Sequence, residues 1–428
     1  MKKIIILFTV IFIAHFLWAN DNVSQMQFNP WKTADSASTA WIIKDLSGEE
    51  QPDQMKNRMI EVGIANFNVG VANDYQGLSK FFQDTLVIDL NELEKGFRLS
   101  VGLDVAPLFF NFNWQDSWGV GIDLARVTAY GNILAGGSLL TFSEADKEGS
   151  GIGAAVFADI VGIPGYFHIQ KFKVKIRGAW YVPIYYSEPD IYYSNRQTSK
   201  KTTLDLNYKM RIYAPSSFDP DDSGSIWDTY TPRALGFDFS TGVEYPLFSW
   251  LDLGADITNI PFVPSKLRHY IEMNDRLSVD SSKINFGDLI DGKDVSEDGF
   301  RVPEDGLVYG REDKLILRPF KMTVFADYRP FNTKILSVIP ILGFSVNPLY
   351  IRPGAFEGGI KARTNLRNIF TATLGFGYLD RLWKNSLDLT LNLRAFGLDL
   401  GICCQSQTFT GSWTGKGLGL NAGVKFGW

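Results

Sequence analysis

The segment covering residues 172–184 alternates between two kinds of side chain along its whole length. Neighbouring side chains of a β-strand point to opposite faces, so this segment predicts a strand with one apolar and one mainly polar face. Strands of soluble proteins are most often about 5–6 residues long, whereas a strand that crosses a bilayer needs about 9–11. The length therefore favours a membrane-spanning strand. The apolar face comprises Phe172, Val174, Ile176, Gly178, Trp180, Val182 and Ile184, and the other comprises Lys173, Lys175, Arg177, Ala179, Tyr181 and Pro183.

Similar alternation recurs from residue 59 to the end of the chain, separated by turn residues or polar stretches. An even number of strands suits a closed barrel whose termini lie on one side of the membrane. The apolar row changes phase after Arg394, which predicts a tight turn or a bulge there. The sequence thus predicts an all-β fold, a transmembrane antiparallel β-barrel of about 14 strands within residues 58–428. The other candidate strands are 60–71, 97–105, 120–124, 151–160, 204–212, 235–245, 251–257, 320–328, 338–346, 356–362, 370–378, 387–393 with its continuation 396–402 after the phase change, and 421–428.

The last eight residues also alternate and end on an aromatic ring. A terminal ring exposed to water would be unusual, but it suits the headgroup level of a membrane. The spacing of Asn421, Gly423, Phe426 and Trp428 is similar to the C-terminal assembly signal of bacterial outer-membrane barrels. We therefore expect the barrel-assembly machinery to be a partner of this chain.

The first residues have the pattern of a secretory signal peptide. Two lysines precede an almost unbroken apolar run, and the small residue Ala19 stands before Asn20, so cleavage is expected between them. Loss of residues 1–19 lowers the formal net charge from −5 to −7, because Lys2 and Lys3 are removed. Beyond this run no apolar stretch approaches the ~18 residues of a spanning helix. The expected destination is the outer membrane of a diderm bacterium, reached through the general secretory route.

Composition argues against several other functions. A mildly acidic chain has no electrostatic footprint for nucleic acid. His168 and His269 have no nucleophile motif beside them, so we expect no enzymatic activity, metal or cofactor. Residues 219–224 resemble the start of a calcium loop but lack its closing glutamate, and the adjacent Cys403 and Cys404 are interpreted as ordinary strand residues.

Three regions do not look like spanning strands. The polar segment 20–57 is long enough to form a plug or hatch in the barrel mouth. The apolar side chains of residues 77–93 have helical spacing, which predicts a short amphipathic helix. Residues 264–314 are rich in Asp, Glu, Gly and Ser, which predicts a long acidic extracellular loop.

The polar faces of the candidate strands would line the barrel lumen. They carry twelve basic and eleven acidic side chains, a balance that favours mutual pairing inside a narrow or plugged barrel over an ion-selective pore. Three like charges at 173, 175 and 177 repel each other unless carboxylates, for example Asp205, or an anionic ligand neutralise them. The sequence leaves both interpretations open, pairing with carboxylates of the wall and binding of an anionic ligand. The candidate lumen-facing or ligand-facing residues are Lys173, Lys175, Arg177, Tyr181, Tyr185, Asp205, Lys209 and Arg211.

These features together resemble the long-chain fatty-acid transporter (FadL-like) superfamily. The resemblance rests on Asn29-Pro30 and residues 34–41 in the plug-like segment, on the strand 60–71 followed by the helix-like 78–90, on the strand count and on the C-terminal signal. The family's Asn-Pro-Ala motif is altered, since Trp31 follows Pro30. The resemblance implies a monomeric barrel with an N-terminal hatch, in contact with membrane lipids and lipopolysaccharide. It would take up hydrophobic small molecules such as long-chain fatty acids, through its interior or sideways through its wall.

Two other functions fit a barrel of this kind. A general diffusion porin would conduct ions or small sugars through an open lumen. A surface-exposed interaction or secretion-associated barrel would act through the 264–314 region without transport.

Overall fold

The structure is a computed structural model. It describes residues 59–73, 97–114, 118–135, 145–188, 191–198, 201–215, 234–280, 300–301, 307–331, 335–349, 353–366, 369–379, 381–393 and 395–427. The expected signal peptide, plug segment and helix at 77–93 lie outside these ranges and stay predictions.

Nearly all described residues belong to β-strands. The strands are β1 Ile60–Asn73, β2 Phe97–Trp114, β3 Trp118–Leu124, β4 Val127–Ala135, β5 Ala145–Ile169, β6 Phe172–Ser187, β7 Ile191–Thr198, β8 Lys201–Ala214, β9 Gly236–Phe248, β10 Leu251–Val263, β11 Ser265–Asp280, β12 Phe300–Arg301, β13 Leu307–Ile316, β14 Phe320–Tyr328, β15 Leu336–Val346, β16 Gly354–Leu366, β17 Phe370–Leu379, β18 Leu382–Asn392, β19 Phe396–Ser406 and β20 Gly417–Gly427.

The strands close into an antiparallel barrel. β1 pairs with β2 on one side and with β20 on the other, so the first and last described strands seal the sheet. At the end where β1 begins and β20 finishes, which we name the lower end, fourteen of the described strands surround the axis. They are β1, β2, β3, β5, β6, β9, β10 and β14 to β20. The predicted all-β barrel of about 14 strands is confirmed.

One side of the barrel extends beyond the opposite, upper end. There β7 pairs with β5 and β8, and β8 pairs with β11, which in turn pairs with β13. The prediction of a single loop over residues 264–314 is therefore wrong at both ends, because β11 and β13 occupy them. Hydrophobic alternation is weak in these two strands, and cross-strand pairing in a tall wall overrides that weak local pattern.

The outside of the wall is apolar. In β3 the side chains of Trp118, Val120, Ile122 and Leu124 are each exposed, whereas the intervening residues are buried inside. Elsewhere the outward row includes Leu374 and Leu342. A continuous apolar exterior around a closed sheet is the surface that hydrocarbon chains cover.

Aromatic rings mark both borders of this apolar exterior. The lower ring-bearing residues are exposed at strand ends and include Trp114, Trp118, Phe172, Phe248, Trp250 and Tyr328. At the upper border, Trp383 packs against Phe409 with ring centroids 5.3 Å apart, and Phe376 stacks on Trp413 at 6.3 Å. Rings at the two edges of an apolar exterior lie at the levels of the lipid headgroups.

A five-residue helix, α1 (Phe409–Trp413), carries two of these upper rings. The Thr408 hydroxyl accepts a hydrogen bond from the Gly411 amide at 3.1 Å and so caps the helix. The Asn385 amide donates to the Ser412 carbonyl at 3.3 Å and thereby ties the helix to β18. The described part of the chain contains no helix long and apolar enough to cross a membrane.

The predicted phase change after Arg394 is also confirmed. β18 ends at Asn392 and β19 begins at Phe396, and the Leu393 amide donates to the Phe396 carbonyl across the turn. The apolar row therefore resumes on the outer face of β19 after a change of direction.

Candidate functional site: the lumen charge belt and ring layer

The inward face of β6 carries the basic ladder that the alternation predicts. Lys173, Lys175 and Arg177 are all buried, while Phe172 and Ile176 on the opposite face of the strand are exposed. Lys175 forms an ion pair with Glu244 of β9, and Lys173 lies 5.4 Å from the ring centre of Tyr166. The ladder is thus held by side chains of the wall, which favours structural pairing over an anionic ligand at this point.

Arg177 belongs to a larger group of buried charges, which we name the charge belt: Asp104, Asp123, Arg126, Asp159, Arg177, Asp238 and Arg318. Arg177 pairs with Asp159 at 2.7 Å and with Asp123 at 3.4 Å. Arg318 pairs with the same Asp159 and, at 3.1 Å, with Asp238. The belt therefore joins β3, β5, β6 and β9 to the short connection between β13 and β14.

A local irregularity supplies the remaining arginine of the belt. Ala125, between β3 and β4, has a positive φ of 54°, and this irregular backbone separates the two strands. Arg126 is thereby placed beside Asp104, with Nη2 and Oδ2 2.5 Å apart. Burying these charges is expensive unless they are paired, and the pairs satisfy that condition.

Asp205 does not neutralise the ladder. In β8 it lies opposite Ser194 of β7 and Ser278 of β11, in the extended upper wall, whereas Lys173 lies opposite Glu244. The expected Asp205 partner is therefore wrong. Strand register between segments distant in sequence decides which carboxylate meets the ladder, and the sequence pattern does not encode that register.

The other candidate residues separate in space. Lys209 is part of β8, but its side chain, like that of Asp205, falls outside the described parts. Arg211 lies in the upper wall and pairs with Glu272 and, at 3.0 Å, with Glu312. Tyr186 belongs to the buried aromatic cluster, because β6 shifts register against β5 between Pro183 and Tyr185. A ligand-facing position of Tyr185 stays a prediction.

Next to the charge belt, aromatic side chains form a second group, which we name the ring layer: Tyr130, Phe157, Tyr181, Tyr186, Tyr213 and Tyr270. The ring centroids of Phe157 lie 5.8 Å from those of both Tyr130 and Tyr181. Tyr213 likewise lies 6.2 Å from Tyr186 and 5.8 Å from Tyr270. Aromatic pairs at such spacing attract each other, so the layer is a coherent apolar zone inside the barrel.

Two features shape the ring layer further. Gly236 lies under the Tyr181 ring so closely that an added Cβ would be 2.4 Å from the ring carbon Cζ. From the turn after β15, the buried Leu349 side chain inserts among the rings, and its amide donates to the Asn347 side chain at 3.0 Å. An aliphatic group on a short turn therefore occupies the layer from the upper side.

Three cations border the ring layer. The Arg318 guanidinium lies 4.1 Å from the Tyr181 ring centre and 5.5 Å from that of Phe157. Lys314 lies 5.7 Å from the Tyr213 ring centre, and Arg211 lies 5.0 Å from that of Tyr270. These distances are in the range where a cation is attracted to an aromatic face.

The wall itself changes partner at this height. β6 pairs with β9 up to Tyr181, opposite Gly236, and with β8 from Tyr186, opposite Tyr213. On the other side, β9 pairs with β10 up to Val263, and β8 pairs with β11 from His269. Among the described strands, the sheet is thus interrupted beside the ring layer.

Further ion pairs line the inner face of the wall towards the lower end. Lys321 pairs with Glu357 at 2.6 Å, Arg363 with Asp327 at 2.5 Å and Lys425 with Asp399 at 3.5 Å. The balanced count of lumen charges therefore corresponds to mutual pairing. Within the described residues, no group of three His, Cys, Asp or Glu side chains is arranged to hold a metal ion.

Sequence reasoning found Tyr181 but missed most of the ring layer. Tyr130 belongs to β4, which the pattern did not identify as a strand, and Tyr213 and Tyr270 belong to strands of the upper wall. Phe157 lies two residues before Asp159 in the predicted strand 151–160, so both side chains point to the same face. Alternation could therefore have predicted the inward position of Phe157.

The chain was compared with protein families, curated proteins and solved structures. No protein-family model and no curated protein matches the chain. A deletion mutant of the monoaromatic hydrocarbon channel TodX matches with 11% identity and a TM-score of 0.45, covering 93% of this chain and 94% of the other. A Pseudomonas aeruginosa FadL homologue matches with 10% identity and a TM-score of 0.42, covering 87% and 91%. The Ralstonia pickettii toluene transporter TbuX matches with 8% identity and a TM-score of 0.41, covering 87% and 90%.

The closed sheet, apolar exterior and charged lumen define this chain as a transmembrane β-barrel. The solved structures that it resembles include FadL-type barrels, at low identity and low TM-score.

Proposed function

We propose that this protein is an outer-membrane channel for hydrophobic small molecules. The observation that carries the proposal is the ring layer, an aromatic zone enclosed by the barrel and already filled in part by Leu349. Apolar solutes cross a water-filled lumen poorly, and an aromatic zone sheltered from water gives them a favourable intermediate position. The resemblance of the sequence to FadL-like proteins suggests long-chain fatty acids as one candidate substrate class. The compared channel TodX is named for monoaromatic hydrocarbons, which are a second candidate class.

The turn that carries Leu349 acts in this proposal as the upper gate. An entering solute takes the place of the Leu349 side chain among the rings, while the interrupted wall beside Tyr181 offers a way out of the layer. The buried ion pairs of the charge belt line one side of the lumen below the ring layer, and an apolar solute gains nothing from contact with them.

Accumulation of hydrophobic probes by whole cells tests the proposal. We compare diderm cells with and without the protein, using a labelled long-chain fatty acid and an uncharged aromatic hydrocarbon. The protein is expected to raise the initial uptake rate of at least one probe. Leu349→Ala is expected to raise it further, whereas Leu342→Ala, on the lipid-facing surface, leaves it unchanged. Uptake that does not depend on the protein would overturn the proposal.

The general diffusion porin makes a different prediction. A porin shows a steady open current in a planar bilayer, whereas a channel for hydrophobic molecules with an occupied ring layer predicts no steady current. A steady current in the unmodified protein would favour the porin.

A further inference from the structure

The cations that border the ring layer are each already paired with a carboxylate of the wall. Arg318 is held between Asp159 and Asp238, and all three side chains are almost completely buried. Lys314 pairs with Glu188. Arg211 pairs with Glu272 and Glu312.

This pairing decides how a charged ligand would be received. A ligand carboxylate that approaches Arg318 must displace Asp159 or Asp238, and the displaced carboxylate then stays buried after losing its contact with Arg318. If neither aspartate moves, the ligand carboxylate adds a third negative charge beside both of them. Either outcome is strongly unfavourable in a buried setting, because desolvated charges need their partners.

An uncharged ring meets no such penalty. Phe157 packs on Tyr181, and Tyr186 on Tyr213, with centroids 5.8 and 6.2 Å apart, so a ring that takes the place of Leu349 would meet aromatic side chains with which it can form offset or edge contacts. The phenolic hydroxyls of the layer can donate hydrogen bonds to a neutral oxygen atom. The layer therefore suits an uncharged, ring-bearing solute.

We propose that the ring layer selects uncharged, ring-bearing hydrophobic solutes and rejects their carboxylates. This rests on the proposed function, since it names the substrate class of the same site. The proposal further assigns Glu188 a specificity-determining position, because it neutralises the Lys314 ammonium that lies between the rings of Tyr186 and Tyr213.

A pair of probes with one shape and different charge tests the selection. Methyl 2-naphthoate and 2-naphthoate share a ring system, and at pH 7 only the second is ionised. Retention by the full chain in lipid nanodiscs is measured by equilibrium dialysis against empty nanodiscs. The ester is expected to bind at least about tenfold more tightly than the acid, which corresponds to about 1.4 kcal/mol. Equal or tighter binding of the acid would overturn the selection.

Substitutions of the wall carboxylates provide the second part of this test. Glu188→Gln leaves the Lys314 ammonium without its carboxylate, so acid binding is expected to rise at least about fivefold while ester binding stays constant. Glu312→Gln is the matched control, because Arg211 keeps Glu272 and acid binding should not change. Unchanged acid binding in Glu188→Gln would contradict the position assigned to Glu188.

The outcomes separate this inference from the proposed function. If neither probe binds above the empty nanodiscs, the ring layer is not a ligand site, and both proposals fail. If both probes bind equally, the layer remains a site for hydrophobic molecules and only the charge selection fails.

Discussion

At the scale of single residues, Asp159 is the most connected member of the charge belt. It pairs with Arg177 and Arg318 at once, and its side chain is almost completely buried. Asp159→Asn removes the negative charge but keeps the shape, so two buried arginines lose one partner. Breaking a buried pair in this way is expected to lower the free energy of unfolding by about 3–5 kcal/mol. Guanidinium unfolding in detergent micelles measures the change.

A second aspartate provides the control for Asp159. Asp399 pairs with Lys425 at 3.5 Å, and its side chain is 28% exposed. Water screens this pair, so Asp399→Asn is expected to change the stability by no more than about 1 kcal/mol. Equal losses in the two variants would contradict a special contribution of the charge belt.

The contact of Gly236 with Tyr181 allows a double-mutant cycle. Gly236→Ala places a methyl group 2.4 Å from the Tyr181 ring, and we expect the resulting overpacking to lower stability by about 1–3 kcal/mol. In a Tyr181→Ala background the same substitution should cost almost nothing, since the ring is gone. Gly358→Ala is a control, because the nearest atom would lie at an ordinary 3.5 Å. A loss that persists without the ring would show that Gly236 acts through its backbone.

These residues also show what the sequence can predict at this scale. The inward direction of Lys173, Lys175 and Arg177 follows from alternation, which is local. Their partners do not follow, because Glu244 reaches Lys175 through the register of strands distant in sequence, and Asp159 reaches Arg177 beside a register shift of the β5–β6 hairpin. Tyr186 shows the limit of alternation itself, since simple alternation from Tyr181 would place it on the outer face and the register shift of β6 brings it into the buried cluster.

At the scale of elements, α1 and β17 lie at different depths of the apolar exterior. Trp413 of α1 belongs to the upper aromatic border, whereas Leu374 lies in the outward apolar row of β17. Leu374→Arg is therefore expected to destabilise the barrel by about 2–4 kcal/mol, and Trp413→Arg by only about 0–1 kcal/mol. Unfolding in lipid vesicles measures both. If the two arginines cost the same, α1 does not lie at the membrane interface.

Element boundaries divide into those that local pattern reveals and those that it hides. β6 is long and strongly alternating, and its predicted span agrees closely with the structure. β11 and β13 were missed because their charged sequences resemble a loop, although pairing across the sheet makes them strands. The five residues of α1 are too few to show helical periodicity, so its position depends on the Thr408 cap and the contact with Asn385.

At the scale of the whole molecule, closure depends on the pairing of β20 with β1. These strands come from opposite ends of the described chain, and the pairing extends from Glu61–Gly427 to Ala72–Gly417. Alternation predicts that both strands exist, and an even strand count predicts that they meet. The register that brings Asn68 opposite Asn421 depends on the accumulated stagger of all the strands between them, which no local segment contains.

The C-terminal strand is expected to contribute in two ways, through its structural contacts in the closed barrel and through recognition by the assembly machinery. The Phe426 ring packs against Phe396 of β19 with centroids 5.6 Å apart, so either ring can be removed to abolish the same contact. Phe426→Leu and Phe396→Leu should therefore lower the stability of the purified barrel equally. Pulse-labelled cells should show slower membrane insertion only for Phe426→Leu, because only Phe426 belongs to the expected signal. Equal insertion rates for the two variants would mean that this ring acts through packing alone.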